Sequence, residues 1–297
     1  MRTKLLEVLF AGLCTAAVGC SDSTAPDPTP SGGPAPTPTP APTPTAVAPT
    51  GAALVRVAHL ALDAGPIDIC LAPHGSTAFS GPMLQQAGVA APGLAYAQAT
   101  RYLPVPADQY DVRVVAGGAV SCDVGMVDTT DLPALVADQN VTIAALGLMH
   151  PPAGNDNAIA IKLYVDDSGL APGPVAVRFI HASPDTPSVD AGTGSGNQFS
   201  AAFLDVAYGA VGQGSTSGAN GYVMLPPLQQ APLLTVRLAG AGDDALTFTP
   251  PAVPSWGDTI TAFLIGDYAG SPQPFKALVC TDNGMPDGAL ADCAVRP

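Results

Sequence analysis

The sequence predicts an all-β chain: tandem antiparallel β-sandwich domains behind a disordered Pro/Thr-rich stalk. Three observations carry this. The 297 residues include 32 Gly and 33 Pro, too many for long helices and well suited to turns between short strands. From residue 51 onward the apolar runs are four to eight residues long, rich in Val and Ile and bounded by Gly, Pro, Asp or Asn. No segment shows the three-and-four spacing of an amphipathic helix. Hydrophobic residues make up 47 % of the chain, enough for real cores, whereas aromatics reach only 5 %.

The N-terminus reads as an address. Arg2 and Lys4 precede an apolar run from Leu5 to Gly19, interrupted by Glu7, which is the layout of a signal peptide. The run is short for a membrane span, which needs roughly 20 apolar residues. Its end, Ala17-Val18-Gly19-Cys20, resembles a bacterial lipobox. That resemblance implies removal of residues 1–19, acylation of Cys20 (palmitate among the acyl groups) and, with Ser21 next, sorting to the outer membrane as a lipoprotein. Residues 21–50 hold ten Pro and seven Thr. Proline fixes φ and biases its predecessor toward extended backbone, so residues 20–50 are expected to be a lipid anchor followed by a semi-rigid polyproline-II spacer.

Six cysteines are present. Cys14 leaves with the signal peptide and Cys20 takes the lipid, so Cys70, Cys122, Cys280 and Cys293 remain. An even remainder in an exported chain reads as two disulfides, and four cysteines allow three connectivities. Cys70–Cys122 and Cys280–Cys293 are favoured because each pair lies within one expected domain. No CxxC spacing supports a zinc site.

The domains are expected at 51–167 and 175–297, joined by the linker 168–174, because the chain echoes itself. "ALVRVAHLALDAGPID" (53–68) is answered by "VAVRFIHASPDTPSVD" (175–190), with Arg56, His59, Asp63 and Asp68 at one offset from Arg178, His181, Asp185 and Asp190. "VTIAALGL" (141–148) is answered by "TITAFLIGD" (259–267), and "IAIKLYVDD" (159–167) by "PFKALVCTDN" (274–283). Order is kept and offsets drift by a few residues, as when insertions fall in loops. Each copy has about seven strand-like runs and the size of an immunoglobulin-like sandwich. "GAVGQGSTSGANG" (209–221) is expected to be an exposed, flexible loop.

"VRFIHASPDTPSVD", with "YVMLPP" (222–227) and, in the first copy, "YLPVPADQYDVRV" (102–114), resembles the bacterial cell-surface domain of unknown function 4397. That family's hallmark reads approximately V-R-x-x-HASPDAP-x-VD-V, followed by P-A-G-x-Y-x-V. The first copy departs where Ala61-Leu62-Asp63 stands for Ser183-Pro184-Asp185. The resemblance implies an exported, often repeated β-sandwich module and no particular activity.

The repeated polar residues admit two uses. Val177, Phe179 and His181 alternate onto one strand face, with Arg178 and Ile180 on the other. His181 then ends a buried row just before a Ser-Pro-Asp turn, where it can hold that turn together. The same types, His59, Asp63, Asp68, His181, Asp185 and Asp190, could instead form a metal or acid–base site. The structural use is favoured, because copies of a fold share whatever that fold requires. Asp282, Asp287 and Asp292, in the loop closed by the second disulfide, offer the oxygen ligands calcium takes, although Asx turns are the ordinary explanation. The central residue of "GSTSG" (214–218) is Thr216, so no G-x-S-x-G elbow exists, and no phosphate-binding glycine motif occurs.

Formal charge is −14, and no Glu occurs beyond Glu7. An acidic surface without basic clusters repels phosphate backbones, which excludes nucleic acid as a partner. The expected protein is a non-catalytic adhesion or envelope/matrix module without a cofactor. It would attach to the membrane by lipid, face the periplasm or the cell exterior, and meet a surface glycan or protein. The alternatives are an exported hydrolase or metal-dependent enzyme using the His/Asp repeat, and a spacer without ligand.

Overall fold

The structure is a computed structural model. It describes residues 51–296 apart from 168–173, 215–216, 219, 226–230, 251–253, 255–256, 269–272 and 284–287. The signal peptide, Cys20, the stalk, most of the expected linker, Thr216, Trp256 and Asp287 therefore lie outside the described residues.

Strands β1 (Ala52–Ala61), β2 (Ile67–Pro73), β3 (Gln98–Ala99), β4 (Leu103–Pro106), β5 (Tyr110–Ala116), β6 (Val127–Thr129), β7 (Asn140–Gly147) and β8 (Ala160–Asp166) build the first half. One sheet runs β3-β1-β7-β8, with β4 also on β1, and the facing sheet runs β2-β5-β6. The second half holds β9 (Val175–His181), β10 (Val189–Thr193), β11 (Ser200–Val206), β12 (Val223–Leu225), β13 (Leu234–Leu238), β14 (Leu246–Phe248), β15 (Thr259–Ile265), β16 (Lys276–Thr281) and β17 (Cys293–Arg296). Its sheets run β12-β9-β15-β16-β17 and β11-β10-β13-β14. No α-helix occurs among the described residues, and none is long and apolar enough to cross a membrane. The all-β sandwich expectation holds.

One detail departs from a purely antiparallel sandwich. The first strand of each half lies parallel to a late one: β1 beside β7, from Leu54 opposite Asn140 to Ala61 opposite Gly147, and β9 beside β15. Parallel neighbours need a long crossover. Here intervening strands supply it, β2, β5 and β6 in the first half and β10, β11, β13 and β14 in the second, by folding over as the facing sheet, so the chain re-enters beside its own first strand in the same direction. Gly147 and Gly266 end these inner strands with φ of +107° and +94°. Each lies so close to a carbonyl, of Ala158 and Pro274 respectively, that a side chain would collide with it.

Alternation along β1 sends Val55 and Val57 into the first sandwich, where they meet Ile69, Leu71, Val112 and Ile143. Along β9 it sends Phe179 into the second, against Phe203, Val236 and Phe248. The opposite faces are not solvated. Ala58, Leu60, Ala144 and Leu146 of the first half form one buried cluster with Ile180, Phe263, Ile265 and Leu278 of the second. The β1-β7-β8 and β9-β15-β16 sheets thus back onto each other, and the described residues form one compact unit. Strands covered on both faces read as continuous apolar runs, as "VTIAALGL" and "TITAFLI" do.

Both disulfides form as expected, Cys70–Cys122 tying β2 to the loop before β6, and Cys280–Cys293 tying β16 to β17. The loop at 209–221 differs from its expectation at its start. Val211 bridges to Ile180, Gly212 is buried, and the Gly209 carbonyl accepts hydrogen bonds from Lys162 and Tyr164 of the first half. Gly209, Val211 and Gly212 at the loop's start thus cover the end of β9, whereas Gln213 and Gly218 are exposed.

The two sandwiches are filled differently. The first holds a cavity of about 270 Å³ that opens to the surface at one side, and the second one of about 50 Å³.

Candidate functional site

The residues singled out by the repeat are drawn into the turns that follow β1 and β9. His59 is fully buried, its Nε2–H donating to the Gly65 carbonyl at 2.9 Å while Nδ1 accepts from the Ala61 amide at 3.4 Å. His181 does the same: Nε2–H donates to the Pro187 carbonyl at 3.0 Å, and Nδ1 accepts from the Ser183 amide at 3.3 Å. Carbonyls only accept, so both rings are the Nε2–H tautomer. Burial pushes both below the ordinary histidine pKa, against the raising effect of those carbonyls. The rings pack edge-on to Tyr96 and Tyr208 respectively. With both nitrogens spent on backbone atoms, neither ring offers a lone pair to a metal or a substrate.

The aspartates serve different loops. Asp63 accepts from the Met149 and His150 amides, and Asp185 from the Tyr268 amide, so each holds the chain as it leaves β7 or β15. Asp68, fully buried, accepts from the Ile69, Leu84 and Gln85 amides. Asp190 accepts from the Asp205 and Gly240 amides. These six residues therefore hold turns, and they do not converge on one site.

Of the calcium grouping, Asp282 is buried between the two halves, where it faces Arg56, Asp292 is exposed, and Asp287 lies outside the described residues. Among the described residues no group of three or more His, Cys, Asp or Glu is placed to hold a metal ion.

Where the sheets back onto each other, the sequence reasoning missed a buried ionic cluster. Arg56 on β1 and Arg178 on β9 project from the faces opposite to their histidines, and both side chains are fully buried. Arg56 crosses to the second half, its Nη2 lying 2.7 Å from Asp282 Oδ1. Arg178 crosses the other way, to Asp166 Oδ1. Within each half the pattern is the same. Arg56 donates to Thr142 Oγ1 at 2.9 Å, and both Thr142 and Tyr102 donate to Asp166 Oδ2, at 2.6 and 2.8 Å. Arg178 donates to Thr261 Oγ1 at 2.9 Å, and both Thr261 and Tyr222 donate to Asp282 Oδ2, at 2.6 and 2.7 Å. Each guanidinium also lies over its own half's tyrosine ring, at 5.1 Å for Tyr102 and 4.7 Å for Tyr222.

Two cations and two anions make the cluster neutral, which is what permits it in a dry interior. Burial works against ionised Asp166, and Arg56 and Arg178 outweigh it, holding the carboxyl below its ordinary range. Burial likewise opposes charge on Arg56, and Asp282 and Asp166 more than offset this. The repeated Arg, with Asp166 in "KLYVDD" and Asp282 in "LVCTDN", each next to last, were the available signal. The crossing between halves was not.

A family model described as a domain of unknown function (DUF4397) matches residues 83–192, a little over a third of the chain. That stretch runs from the loop before β3, through β9 and its histidine turn, into β10. It therefore spans β3 to β8 of the first half and the start of the second. No curated protein matches the chain.

Proposed function

We propose that the chain is an exported, lipid-anchored, non-catalytic surface module: two tandem copies of the DUF4397 domain carried on a Pro/Thr stalk. Its role is adhesion or contact with envelope or matrix components. One observation carries the non-catalytic reading. The residues that repeat most faithfully, His59 and His181, direct both ring nitrogens at backbone atoms of their own turns. Repetition here follows from what the fold needs. The shared strand order, β4-β1-β7-β8 and β2-β5-β6 against β12-β9-β15-β16 and β10-β13-β14, with the same Arg, Thr, Tyr and Asp at the junction, supports reading them as copies. The two disulfides are compatible with an oxidising compartment outside the cytoplasm. The apolar leader and Ala17-Val18-Gly19-Cys20 support lipidation and membrane attachment, and the excess of Asp over Lys and Arg argues against a nucleic-acid partner.

The test is mass spectrometry of the protein recovered from the membrane fraction of a Gram-negative host. An N-terminal peptide starting at an acylated Cys20, lost to the soluble fraction in Cys20→Ser, is the expected result. An unmodified Cys20, or a mature terminus elsewhere, overturns the anchor. Turnover of ester, glycoside or phosphoester substrates that disappears in His181→Gln overturns the non-catalytic reading.

A further inference from the structure

We infer that the first sandwich binds a small, uncharged amphiphile with an aliphatic chain of about eight carbons, held inside the sandwich with its polar head at the rim. The cavity of about 270 Å³ lies between the sheets, walled by Val55, Val57, Ile69, Leu71, Val112 and Ile143. It reaches the surface at Gln86, Pro104 and Pro133, which are exposed. Close packing is the norm in protein interiors, and a void this size forfeits dispersion contacts along its whole lining.

The second half shows that the fold does not require the void. Register places Phe179 opposite Ala262 where the first half has Val57 opposite Ile143. There Phe179 stacks on Phe203 at 6.0 Å between ring centroids, Phe248 packs alongside, and only about 50 Å³ remains. The first half has no aromatic residue at these positions, and its one lining aromatic is Tyr110, half-buried and donating its hydroxyl to the Pro106 carbonyl.

Size and charge fix the ligand class. An apolar cavity of roughly 150 Å³ stays dry and admits a benzene ring, so about 270 Å³ suits an eight-carbon chain. The lining contains no charged side chain, and Gln86 is its polar residue besides Tyr110. A carboxylate or phosphate head would meet no cation there and would approach a chain of net charge −14. A neutral head, such as an alcohol, amide or lactone, can hydrogen-bond the Gln86 amide at the rim.

The experiment uses the chain carrying Cys20→Ser, exported so that its disulfides form and handled without detergent, which would compete for the cavity. Thermal unfolding is followed with 1-octanol and with sodium octanoate. A ligand at about 100 times its dissociation constant raises the melting point by roughly 5–10 °C for a folded unit of this size. The expected result is a rise with octanol, a smaller one or none with octanoate, and no octanol effect in Ala87→Phe, which places a ring in the cavity mouth. Methyl NMR of the unsubstituted cavity supplies a readout independent of that variant. Octanol is expected to shift Val57, Ile69, Leu71 and Ile143 and to leave Val177 and Val236 in place. No octanol-dependent methyl shifts, shifts spread equally over both halves, or octanoate binding as tightly as octanol would each overturn the inference.

Discussion

Asp282→Asn is the sharpest probe of the junction between the halves. The substitution keeps the shape of the side chain, so it opens no cavity. It removes the charge 2.7 Å from Arg56 and turns either an amide donor toward that guanidinium or a donor toward the Tyr222 and Thr261 hydroxyls. Asp166, 3.7 Å from Arg56, is already engaged by Arg178, so two buried cations are left with one anion. Removing one partner from a buried pair costs about 3–5 kcal/mol, a large part of the 5–15 kcal/mol that holds a typical domain together. For a folded unit of this size that is roughly 6–20 °C in melting temperature. Circular dichroism melts and urea titration at 25 °C read it directly. The loss should be nearly independent of salt, because the charges are dry. Arg56→Met with Asp282→Leu restores neutrality and is expected to recover more than half of it. A loss below about 1 kcal/mol for Asp282→Asn, or a double variant as unstable as the single, would refute the argument that uncompensated charge is what matters.

Further consequences can be measured separately. His59 and His181 have folded pKa values below the unfolded value of about 6.5, so the unfolded chain takes up protons that the folded one refuses. Stability is therefore full above that pH and falls below it, by up to about 2.7 kcal/mol per pH unit for the two rings together, and the double His→Gln variant should flatten this slope in melts between pH 7.5 and 5. A second loss is expected below about pH 4, where the depressed carboxyl of Asp166 is finally protonated as pH falls through its folded value; Asp166→Asn should remove this step. Replacing Cys70 and Cys122 by Ala opens a long loop, with a separation of 52, and should cost about 4 kcal/mol, against about 3 kcal/mol for Cys280 and Cys293, separated by 13. Denaturant titration of the two pairwise variants checks that order, which reverses if strain and not chain entropy dominates.

Strand content and turn chemistry were legible because they are local. The alternation of Val177, Phe179 and His181 gave the correct inward face, and the Ser-Pro-Asp turn after it pointed to a histidine engaged by backbone. The cysteine pairs followed from each lying within one expected half. Less legible was what covers the other face of β9. Alternation separates two faces of a strand and is silent about which neighbour meets each, so it put Arg178 on the face opposite His181 without showing that this face too is fully buried. The unbroken apolar runs of β7 and β15 were the available hint that both faces were covered. The cavity was hidden for a different reason. It depends on the summed volume of side chains from six strands and two loops, and Val57 looks as suitable for a core as Phe179.

The crossed arginines give the surface between the halves a particular symmetry. Each half presents an Arg and an Asp, braced by its own Thr and Tyr, and receives an Asp and an Arg from the other, so residue i meets j while the counterpart of j meets the counterpart of i. Such an isologous arrangement belongs to two-fold dimers of identical subunits. If the halves are the copies proposed above, the chain corresponds to a homodimer whose two subunits are joined end to end. Either half alone would present a self-complementary face bearing one cation and one anion, and its closest substitute for the missing partner would be a second copy of itself.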